Sequence, residues 1–463
     1  MLQRKIPLLA LLLLLTASLP ATAQQKLSLK EAIQSAVENY GTIKAKASYA
    51  EASENLAGQA RRDYLPNLNL SVQQAYGTAN GQLGPQYGFG GLGVSSSGLP
   101  LPQQNWNAAF GALYLANVNW DVFAFGRARE KIKTAEQAAF RDKKDWEQEL
   151  FRHEVKVAGT YLNLIAAQQL TASYRKNLAR ADTFRLIVVT RALNGLIAGV
   201  DSSQANAEVS GARIALTKAI DFEQEQANQL AQLTGLPAGT FQLDTFFISR
   251  IPAVLQDSLS TDNHPLLQWY KSRVGFSEEQ SKYLKTFYYP TLSLVGVIQS
   301  RASGFGSTYA QNQADFSHDY WDGINPNRSN YLLGLGLTWN ITQPLRISKQ
   351  VKAQHLISKG LQAEYELAGQ QVRAQLQLSD SKIKNALDNY NEVPVQVRAA
   401  SNAYLQKSVL YKNGLTNLVE VTQSLYALIR AETDRDIAYN NVWQALLLRS
   451  AAAGDFNLFL NQL

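Results

Sequence analysis

The histidines are the first residues to consider for metal binding or acid–base chemistry. His153, His264, His318 and His355 are scattered along the chain, whereas histidines that share a metal ion usually recur at short, characteristic spacings. His153 is followed directly by Glu154, and adjacent side chains on a helix point in different directions. We therefore interpret all four histidines as structural or solvated.

Other signatures of chemistry lack the context that they need. The chain has no cysteine, which excludes disulfides, thiol nucleophiles and cysteine-ligated metals. Gly88, Gly90 and Gly93 match G-x-G-x-x-G, but they lie in a Gly/Ser/Pro-rich stretch and not between a strand and a helix, as a dinucleotide site requires. No carboxylate pair is distinguishable as a catalytic dyad. The sequence predicts a protein that is not an enzyme, with no catalytic residue, cofactor or metal site.

The N-terminus is typical of an export signal. Arg4 and Lys5 precede an apolar run over residues 8–15, which is too short to span a bilayer as a helix. Residues 21–23 supply the small side chains of a cleavage site, so we expect residues 1–23 to be a signal peptide. An N-terminal anchor helix is the alternative. The net charge is +7, with the charges interspersed, and no nucleic-acid-binding patch is predicted.

The chain contains one sequence pattern twice. Trp120 and Trp339 are 219 residues apart, and the same offset relates Arg127 to Arg346. We predict a first structural repeat over 24–236, a joining segment over 237–262, a second repeat over 263–453 and a tail over 454–463. The offset also relates Gly195-Leu196 to Gly414-Leu415, Asp201 to Glu420, and Gln204 to Gln423, and it becomes 224 upstream, where Leu65-Pro66 corresponds to Tyr289-Pro290.

Each repeat has the composition of a helix, two strands and a helical hairpin. The first helix of the first repeat is predicted over 29–62, and the prolines at 66 and 290 follow the first helices. The hairpins are predicted over 127–236, closed by a turn at 194–200, and over 346–453, closed by a turn at 411–418. Pro394 should kink or break the incoming helix of the second hairpin. Alternation with a period of two predicts strands at about 67–77, 112–123, 290–299 and 331–342.

The strands have the length and alternation of tilted transmembrane strands. A soluble four-stranded sheet alternates in the same way, so the strands alone leave both alternatives open. The incoming helix of the first hairpin, over 127–190, would extend about 95 Å at 1.5 Å per residue, which favours an envelope-spanning protein. Four strands cannot close a barrel, so transmembrane strands would require several chains. The side chains predicted to face the membrane are Tyr114, Val118, Trp120, Tyr331, Leu335 and Trp339.

Several motifs resemble the TolC-like outer membrane efflux protein family. Residues 27–32 (LSLKEA) with Asn39, Leu65-Pro66 before a strand, and residues 125–127 (FGR) after the second strand resemble its first half. The two Gly-Leu turns, each followed six residues later by an acidic residue, resemble its two hairpin tips. The resemblance covers residues 27–453, and the order and doubling of the motifs make the combination specific.

This resemblance implies an α+β membrane protein that forms a homotrimer. Four strands from each chain would form a 12-stranded barrel in the outer-membrane lipid, continued into the periplasm by an α-helical, coiled-coil barrel. Docking of a periplasmic adaptor protein and an inner-membrane pump would open the helical tips, in a tripartite efflux pump or a type I secretion system. The resemblance places the gate at Asp201, Tyr411, Thr416, Glu420 and Gln423, and adaptor contacts at Gly195, Leu196, Gly414 and Leu415.

The chain departs from the resemblance at two predicted gate residues, and one competing function remains. Thr416 stands where a well-studied member of the family has a gating arginine, and Gln423 where that member has a second acidic residue, so the resemblance does not carry over the closing link or a cation-selective acidic ring. The competing function is a soluble periplasmic coiled-coil adaptor or structural protein. Adaptors normally carry one helical hairpin, whereas this chain has two, each joined to a pair of strands.

Overall fold

The computed structural model describes residues 26–81, 98–253 and 260–462. The predicted signal peptide and the G-x-G-x-x-G match lie outside these residues. Most of the described chain is helical, and four strands form one antiparallel sheet. The elements are α1 (Leu29–Asn39), α2 (Gly41–Arg62), β1 (Asn67–Thr78), β2 (Ala108–Phe123), α3 (Arg127–Leu193), α4 (Gly199–Thr234), α5 (Phe246–Ser249), α6 (Pro265–Lys285), β3 (Thr291–Ser303), α7 (Tyr320–Ile324), β4 (Arg328–Thr338), α8 (Gln343–Lys412), α9 (Leu418–Ala453) and α10 (Asn457–Leu460).

The chain divides into two compact units. The helical unit is formed by Met1–Ala50, Arg141–Arg273 and Leu361–Leu463. The sheet unit is formed by Glu51–Phe140 and Val274–Gly360. The two hairpin turns belong to the helical unit, and all four strands belong to the sheet unit.

The sheet has the strand order β1-β2-β3-β4, so β1 and β4 are its edges. Opposite residues of antiparallel strands point to the same face, and the register therefore defines two faces. One row across the sheet joins Leu68, Val118, Gly296 and Leu333, and the adjacent row joins Asn67, Asn119, Val295 and Gly334. The first kind of row makes an apolar face, as the alternation predicts, and the second kind makes a mixed polar face.

The connection between β3 and β4 covers one end of the apolar face. Ile324 of α7 is buried against Ala112 and Ala302. The Tyr114 hydroxyl donates to the Ile324 carbonyl at 3.0 Å. Tyr114, which the sequence predicts to face the membrane, is therefore partly covered by a loop of its own chain.

The core of the helical unit is built from both repeats and from the segment between them. Trp443 of α9 is 1% exposed and lies against Phe247 of α5, with ring centroids 4.9 Å apart. Its Nε1 donates to the Arg250 carbonyl at 3.0 Å. Tyr161 donates its hydroxyl to the Leu27 carbonyl at 2.7 Å, and burial raises the pKa of Tyr161 to about 12. These contacts fix part of the 237–262 segment onto the core.

The first helix of the chain is interrupted, which corrects the prediction of one helix over 29–62. α1 ends at Asn39, and Tyr40 has an extended conformation, with φ −72° and ψ 116°. The Tyr40 ring stacks on His153 at 3.8 Å, and Asn39 donates to the Ser35 hydroxyl at 3.1 Å. Local helix propensity is a weak prior, and these contacts outweigh it.

The predicted end of the fourth strand is wrong, and of the kink or break predicted at Pro394 the break is absent. α8 continues through Pro394 without a break. Pro394 is exposed, so water can satisfy the carbonyl that lost its donor. β4 ends at Thr338, which pairs with Thr291, the first residue of β3. Trp339 therefore lies just beyond the strand and not within it.

Two features are absent from the described residues, a membrane-spanning helix and a metal-binding cluster. No described helix combines the length and apolarity needed to cross a membrane. Among the same residues, no three His, Asp or Glu side chains are grouped so that they could hold a metal ion.

Glycines at the ends of α4 and α9 allow the helices to pack closely on other backbone. Gly235 and Gly454 both have positive φ, 69° and 75°. A Cβ added at Gly235 would lie 2.7 Å from the Asn39 Cβ, and one at Gly454 would lie 2.6 Å from the His264 Cα. Both positions therefore require glycine for conformation and for space.

We expect Gly454→Ala to destabilise the protein by at least about 2 kcal/mol, since the left-handed conformation alone costs a residue with a Cβ about that much. The midpoint of thermal loss of helical circular dichroism in detergent measures the effect. Gly211→Ala is the matched control, because Gly211 lies within α4 with open space around it. Equal midpoints for the two variants would contradict the packing argument.

Candidate functional site at the helical hairpin turns

The two hairpins turn with the same hydrogen bonds. At the end of α3, the Leu196 N–H donates to the Arg191 carbonyl at 2.9 Å, and Gly195 has φ 68°. At the end of α8, the Leu415 N–H donates to the Leu410 carbonyl at 2.9 Å, and Gly414 has φ 74°. Both turns are Schellman motifs, in which a left-handed glycine lets the chain close over the last helical carbonyls. The corresponding residues of the two turns are 219 apart.

Both turns present apolar side chains to solvent. Leu193 is 83% exposed, and Leu196 and Val200 beside it are also exposed. Leu415 and Val419 are exposed at the second turn. Isolated exposed apolar residues need no explanation, but groups of them mark interaction surfaces. The four residues predicted to contact an adaptor thus lie in turns whose neighbouring side chains are apolar and accessible.

Tyr411 lies in a small core behind the turns. It is 3% exposed, its ring centroid is 5.5 Å from that of Phe184, and Val188, Leu418 and Val421 complete the contacts. The Tyr411 hydroxyl is buried and has no hydrogen-bond partner in the described chain. Burial raises the pKa of Tyr411, and the nearby Asp201 carboxylate adds to this increase. Tyr411 therefore acts within the chain as an apolar ring.

Arg191 joins the first hairpin to the second. Its Nη1 donates to the Tyr411 carbonyl at 2.7 Å and to the Lys412 carbonyl at 2.8 Å. The guanidinium carbon lies 5.4 Å from the centroid of the Tyr411 ring. The last carbonyls of a helix lack intrahelical donors and carry partial negative charge, so a cation there is stabilising. Arg191 thus caps the C-terminus of α8.

The second turn is closed by a polar triad of Lys407, Thr416 and Glu420, here called the Glu420 triad. The Asn417 side chain accepts from the Glu420 N–H at 3.0 Å and begins α9. The Glu420 carboxylate accepts from Lys407 and, at 2.9 Å, from the Thr416 hydroxyl. These hydrogen bonds lower the pKa of Glu420, with Lys407 as the larger cause. Thr416 and Glu420, two predicted gate residues, are therefore directly bonded.

Three further polar links join α3 and α4 to α9 behind the turns. Each connects the first hairpin to the second. The Tyr426 hydroxyl donates to Glu208 at 2.5 Å, which raises the pKa of Tyr426 to about 12. The other links are the Arg180–Glu432 ion pair, with contacts of 2.5 and 3.1 Å, and the hydrogen bond from Ser173 to Asp436 at 2.5 Å.

The predicted gate residues are thus only partly brought together. Asp201 is half-buried near Tyr411, whereas the Gln423 side chain is exposed. The residues that link the hairpins, Arg191 and Arg180 above all, are absent from the sequence-based prediction. The heptad spacing of Ser173 and Arg180, and the four-residue spacing of Glu432 and Asp436, were the available signal. Arg191 gave none, because its partners are backbone carbonyls.

The apolar face of the sheet is the second surface of functional interest. Tyr331 is 86% exposed, and Val118, Trp120 and Leu335 share its face. Further exposed side chains of this face are Leu68, Leu70, Val72, Ile298, Leu333 and Leu337. A contiguous apolar surface of this kind marks a membrane or protein interface.

The two tryptophans at the end of this face have equivalent hydrogen bonds. Trp120 Nε1 donates to the Tyr64 carbonyl at 2.8 Å, and Trp339 Nε1 donates to the Tyr288 carbonyl at 3.2 Å. An indole with one apolar side and one bonded N–H is typical of membrane–water interfaces. Trp339 keeps this position although it lies beyond β4.

Residues 32–236 match the model of the outer membrane efflux protein family. The resemblance to the outer membrane efflux protein family is confirmed. This family consists of transport proteins and not of enzymes, which agrees with the expectation of a non-enzymatic efflux channel. No curated protein is significantly similar to the chain in sequence.

Several solved structures of outer-membrane channels have the same fold. VceC from Vibrio cholerae is 16% identical, with a TM-score of 0.73, and the alignment covers 92% of this chain and 96% of VceC. CusC is 14% identical, with a TM-score of 0.76 and 92% coverage of each chain. CmeC from Campylobacter jejuni is 13% identical, with a TM-score of 0.75 and coverage of 92% of this chain and 85% of CmeC. The efflux-channel fold therefore extends over nearly the whole chain.

We expect Arg191→Met to loosen the second turn, because it keeps an unbranched apolar stem but removes the guanidinium group that donates to both α8 carbonyls. Hydrogen bonds from charged groups contribute about 1.5–3 kcal/mol, so amide exchange at residues 413–415 should accelerate at least about tenfold. Hydrogen–deuterium exchange with mass spectrometry measures this. Arg175→Met, which removes an exposed cation from the same helix, should change nothing, and equal exchange in the two variants would refute the capping role.

The Glu420 triad should respond to acid. Because its pKa is lowered in the folded chain, the triad contributes stability above the usual value of 4.5 and loses it as the pH falls through the lower folded value. Amide exchange at residues 416–421, corrected for intrinsic rates, should therefore be constant from neutral pH to 4.5 and increase below that. Lys407→Met should move the increase to higher pH. An unchanged profile in this variant would show that Lys407 does not hold the carboxylate.

Proposed function

We propose that this protein is a subunit of a passive exit duct in the outer membrane, which extends into the periplasm and discharges the substrates of an efflux pump or secretion system. The observation that carries the proposal is the exposed apolar face of the four-stranded sheet, on a chain with the efflux-channel fold. Lipid tails would cover this face, while the mixed polar face would line a water-filled lumen.

The duct is a homotrimer in this proposal. β1 and β4 are the edges of the sheet, and an unsatisfied strand edge is not tolerated in hydrocarbon. Pairing of β4 of one copy with β1 of the next satisfies both edges, and three copies form a closed barrel of twelve strands. The helical hairpins of the three copies then form the periplasmic part.

The chain is built from two copies of one structural unit. Support comes from the two Schellman turns, the two tryptophan–carbonyl hydrogen bonds and the two glycines at Gly235 and Gly454, which repeat at offsets of 219 or 224 residues. Six hairpins from three chains then give a ring with approximate sixfold symmetry. The export signal over residues 1–23 delivers the chain to this location.

The hairpin turns are the gate and the contact for a periplasmic adaptor and an inner-membrane pump. Exposed Leu196 and Leu415 would insert into apolar pockets of the adaptor. Arg191 and Arg180 would hold the second hairpin to the first in the closed state, and the Glu420 triad would keep the second turn itself closed. Opening requires that such links break, and each of these links is hydrogen-bonded or ionic and lies near the surface.

A soluble periplasmic coiled-coil protein is the competing function. It would have to leave the apolar sheet face in water, and no element of the described chain covers more than one end of that face. Burying a large apolar side chain contributes about 1.5–3 kcal/mol, so about ten such side chains exposed to water make this alternative unfavourable.

Single-channel recording in a planar lipid bilayer tests the proposal. The unsubstituted protein, purified in detergent, should insert and give discrete current steps. The double variant Arg180→Met/Arg191→Met should have a higher open probability, because two of its hairpin links are removed. Tyr411→Phe should behave as the unsubstituted protein, since the lost hydroxyl has no partner in the described chain.

Arg175→Met is the control for loss of a cation from α3. If it raises the open probability as much as the double variant does, the hairpin links do not hold the gate. If the unsubstituted protein does not insert and stays soluble without detergent, the duct itself is excluded, and the periplasmic coiled-coil protein becomes the better explanation.

A further inference from the structure

A cavity of about 740 Å³ lies in the sheet unit, between the end of β2 and the start of α3. Its lining includes the ends of α2 and α6 as well as the short segment that joins β2 to α3. The cavity lies at the end of the sheet where Trp120 forms its hydrogen bond to the Tyr64 carbonyl, and residues of both sheet faces, such as Trp120 and Asn119, line it. It is separate from the hairpin turns, and it shares only Trp120 with the residues named above for the apolar sheet face.

The cavity has an excess of positive charge. Four basic residues line it, compared with the two acidic residues Asp63 and Asp121. Lys131 is paired with Asp63 at 2.6 Å, and the Asp121 carboxylate accepts from the Ser293 hydroxyl. The other three basic lining residues are Arg127, Arg129 and Lys133.

The remaining cations are poorly compensated. Arg129 and Lys133 share one carboxylate, that of Glu130, at 3.9 and 3.5 Å. The Arg129 side chain is 76% exposed. Such long and weak pairs contribute little in water, so both side chains remain available to an anion.

Arg127 is fixed at the wall of the cavity by neutral groups. Its guanidinium donates to the Thr291 hydroxyl at 2.9 Å and to the Tyr289 carbonyl at 3.3 Å, and it lies 4.4 Å from the centroid of the Phe287 ring. Its Nε is buried and has no hydrogen-bond partner in the described chain, where no carboxylate pairs with the side chain either. A buried donor without a partner is uncommon in folded proteins.

The rest of the lining is aromatic and apolar. Five aromatic residues line the cavity, and Phe123, like its neighbour Phe125, is exposed. The wall therefore combines aromatic and cationic side chains in one cavity at the end of the sheet. This combination matches a molecule with hydrocarbon chains and a phosphate headgroup. The aromatic lining residues are Tyr64, Trp120, Phe123, Tyr283 and Phe287.

We propose that this cavity binds the headgroup of an anionic phospholipid from the adjacent leaflet, with Arg129 and Lys133 contacting the phosphate and the aromatic wall contacting the start of the acyl chains. The inference rests on the proposed location of the sheet in a membrane. Arg127 fixes the position of the wall and supplies a further positive charge. The lipid would fill the space between the sheet and the helices at the membrane surface.

The second repeat supplies a matched control. At the start of α8, Arg346 and Lys349 are exposed and lie in the same sheet unit, but they do not line the cavity. The position that corresponds to Arg129 at the 219-residue offset is Ser348, which is neutral. Removing two charges there changes the general attraction to anionic lipid but leaves the cavity intact.

Native mass spectrometry of the full assembly in detergent tests the proposal. The protein is titrated with dioleoyl phosphatidylglycerol or with dioleoyl phosphatidylcholine, and bound lipid is counted. We expect one phosphatidylglycerol retained per chain and no retention of phosphatidylcholine. Arg129→Gln/Lys133→Gln should weaken phosphatidylglycerol binding about thirtyfold, because each basic side chain near an anionic surface contributes about fivefold. Arg346→Gln/Lys349→Gln should bind as the unsubstituted protein does.

Three results would overturn the cavity as a lipid site. These are equal retention of the two lipids, equal weakening in the two double variants, and no retained lipid at all, as expected if a second copy of the chain fills the cavity. Flotation of the unsubstituted protein with vesicles tests membrane insertion separately. A protein that floats but does not select phosphatidylglycerol refutes this inference and leaves the proposed duct standing.

Discussion

The unpaired backbone N–H and C=O groups at the two edges of the sheet constrain how the chain can assemble. β1 and β4 each have one strand neighbour, so alternate N–H and C=O groups on their outer sides have no partner in the described chain. In water such groups are solvated, but the apolar face of the same strands favours an environment without water, where each unpaired group costs several kcal/mol. A chain that satisfies both requirements must pair its edges with further copies of itself. Assembly from several copies is thus a consequence of the proposed membrane location and not a separate assumption.

A gate also requires that one end of the helical unit be easier to move than the other. The largest core described in this unit has 24 buried residues, including Tyr161 and Trp443, whereas the core behind the hairpin turns has six. Burial of apolar area is the main source of stability, so the turns lie at the less stable end of their own unit. Local opening in proteins occurs where buried apolar contacts are few. In the proposed gate, the links that Arg180 and Arg191 make between the hairpins would decide how often the turns separate, since each can break without unfolding the helices.

The features that could be predicted from the sequence are those that produce a periodic or repeated residue pattern. The alternation in β1 to β4 locates all four strands within four residues at each end, because an exposed two-faced sheet leaves the period of two intact. The hairpin turns are marked by Gly195 and Gly414, since a left-handed turn favours glycine over other residues. The break at Tyr40 could not be found in this way, because it results from stacking on His153, a residue more than one hundred positions away. α8 continues through Pro394 because this residue lies on the side of the helix that faces water. The local sequence does not indicate which side that is.

The roles of Tyr411 and Arg191 illustrate a more general limit. Matching by position assigns a polar role to Tyr411, because its residue type has a hydroxyl that can donate. In the folded chain Phe184 and Leu418 bury the ring and leave that hydroxyl without a partner, so the useful property of Tyr411 is its shape. The polar contact at the same place is made by Arg191 to two backbone carbonyls, and every residue type has a carbonyl. A contact of this kind leaves no complementary residue in the sequence with which Arg191 could be paired. Because the partners are backbone carbonyls, substitution of the side chains at positions 411 and 412 leaves both acceptors in place. The contact between the hairpins is therefore independent of those side chains, while the exposed residues of the turns can vary to fit a partner.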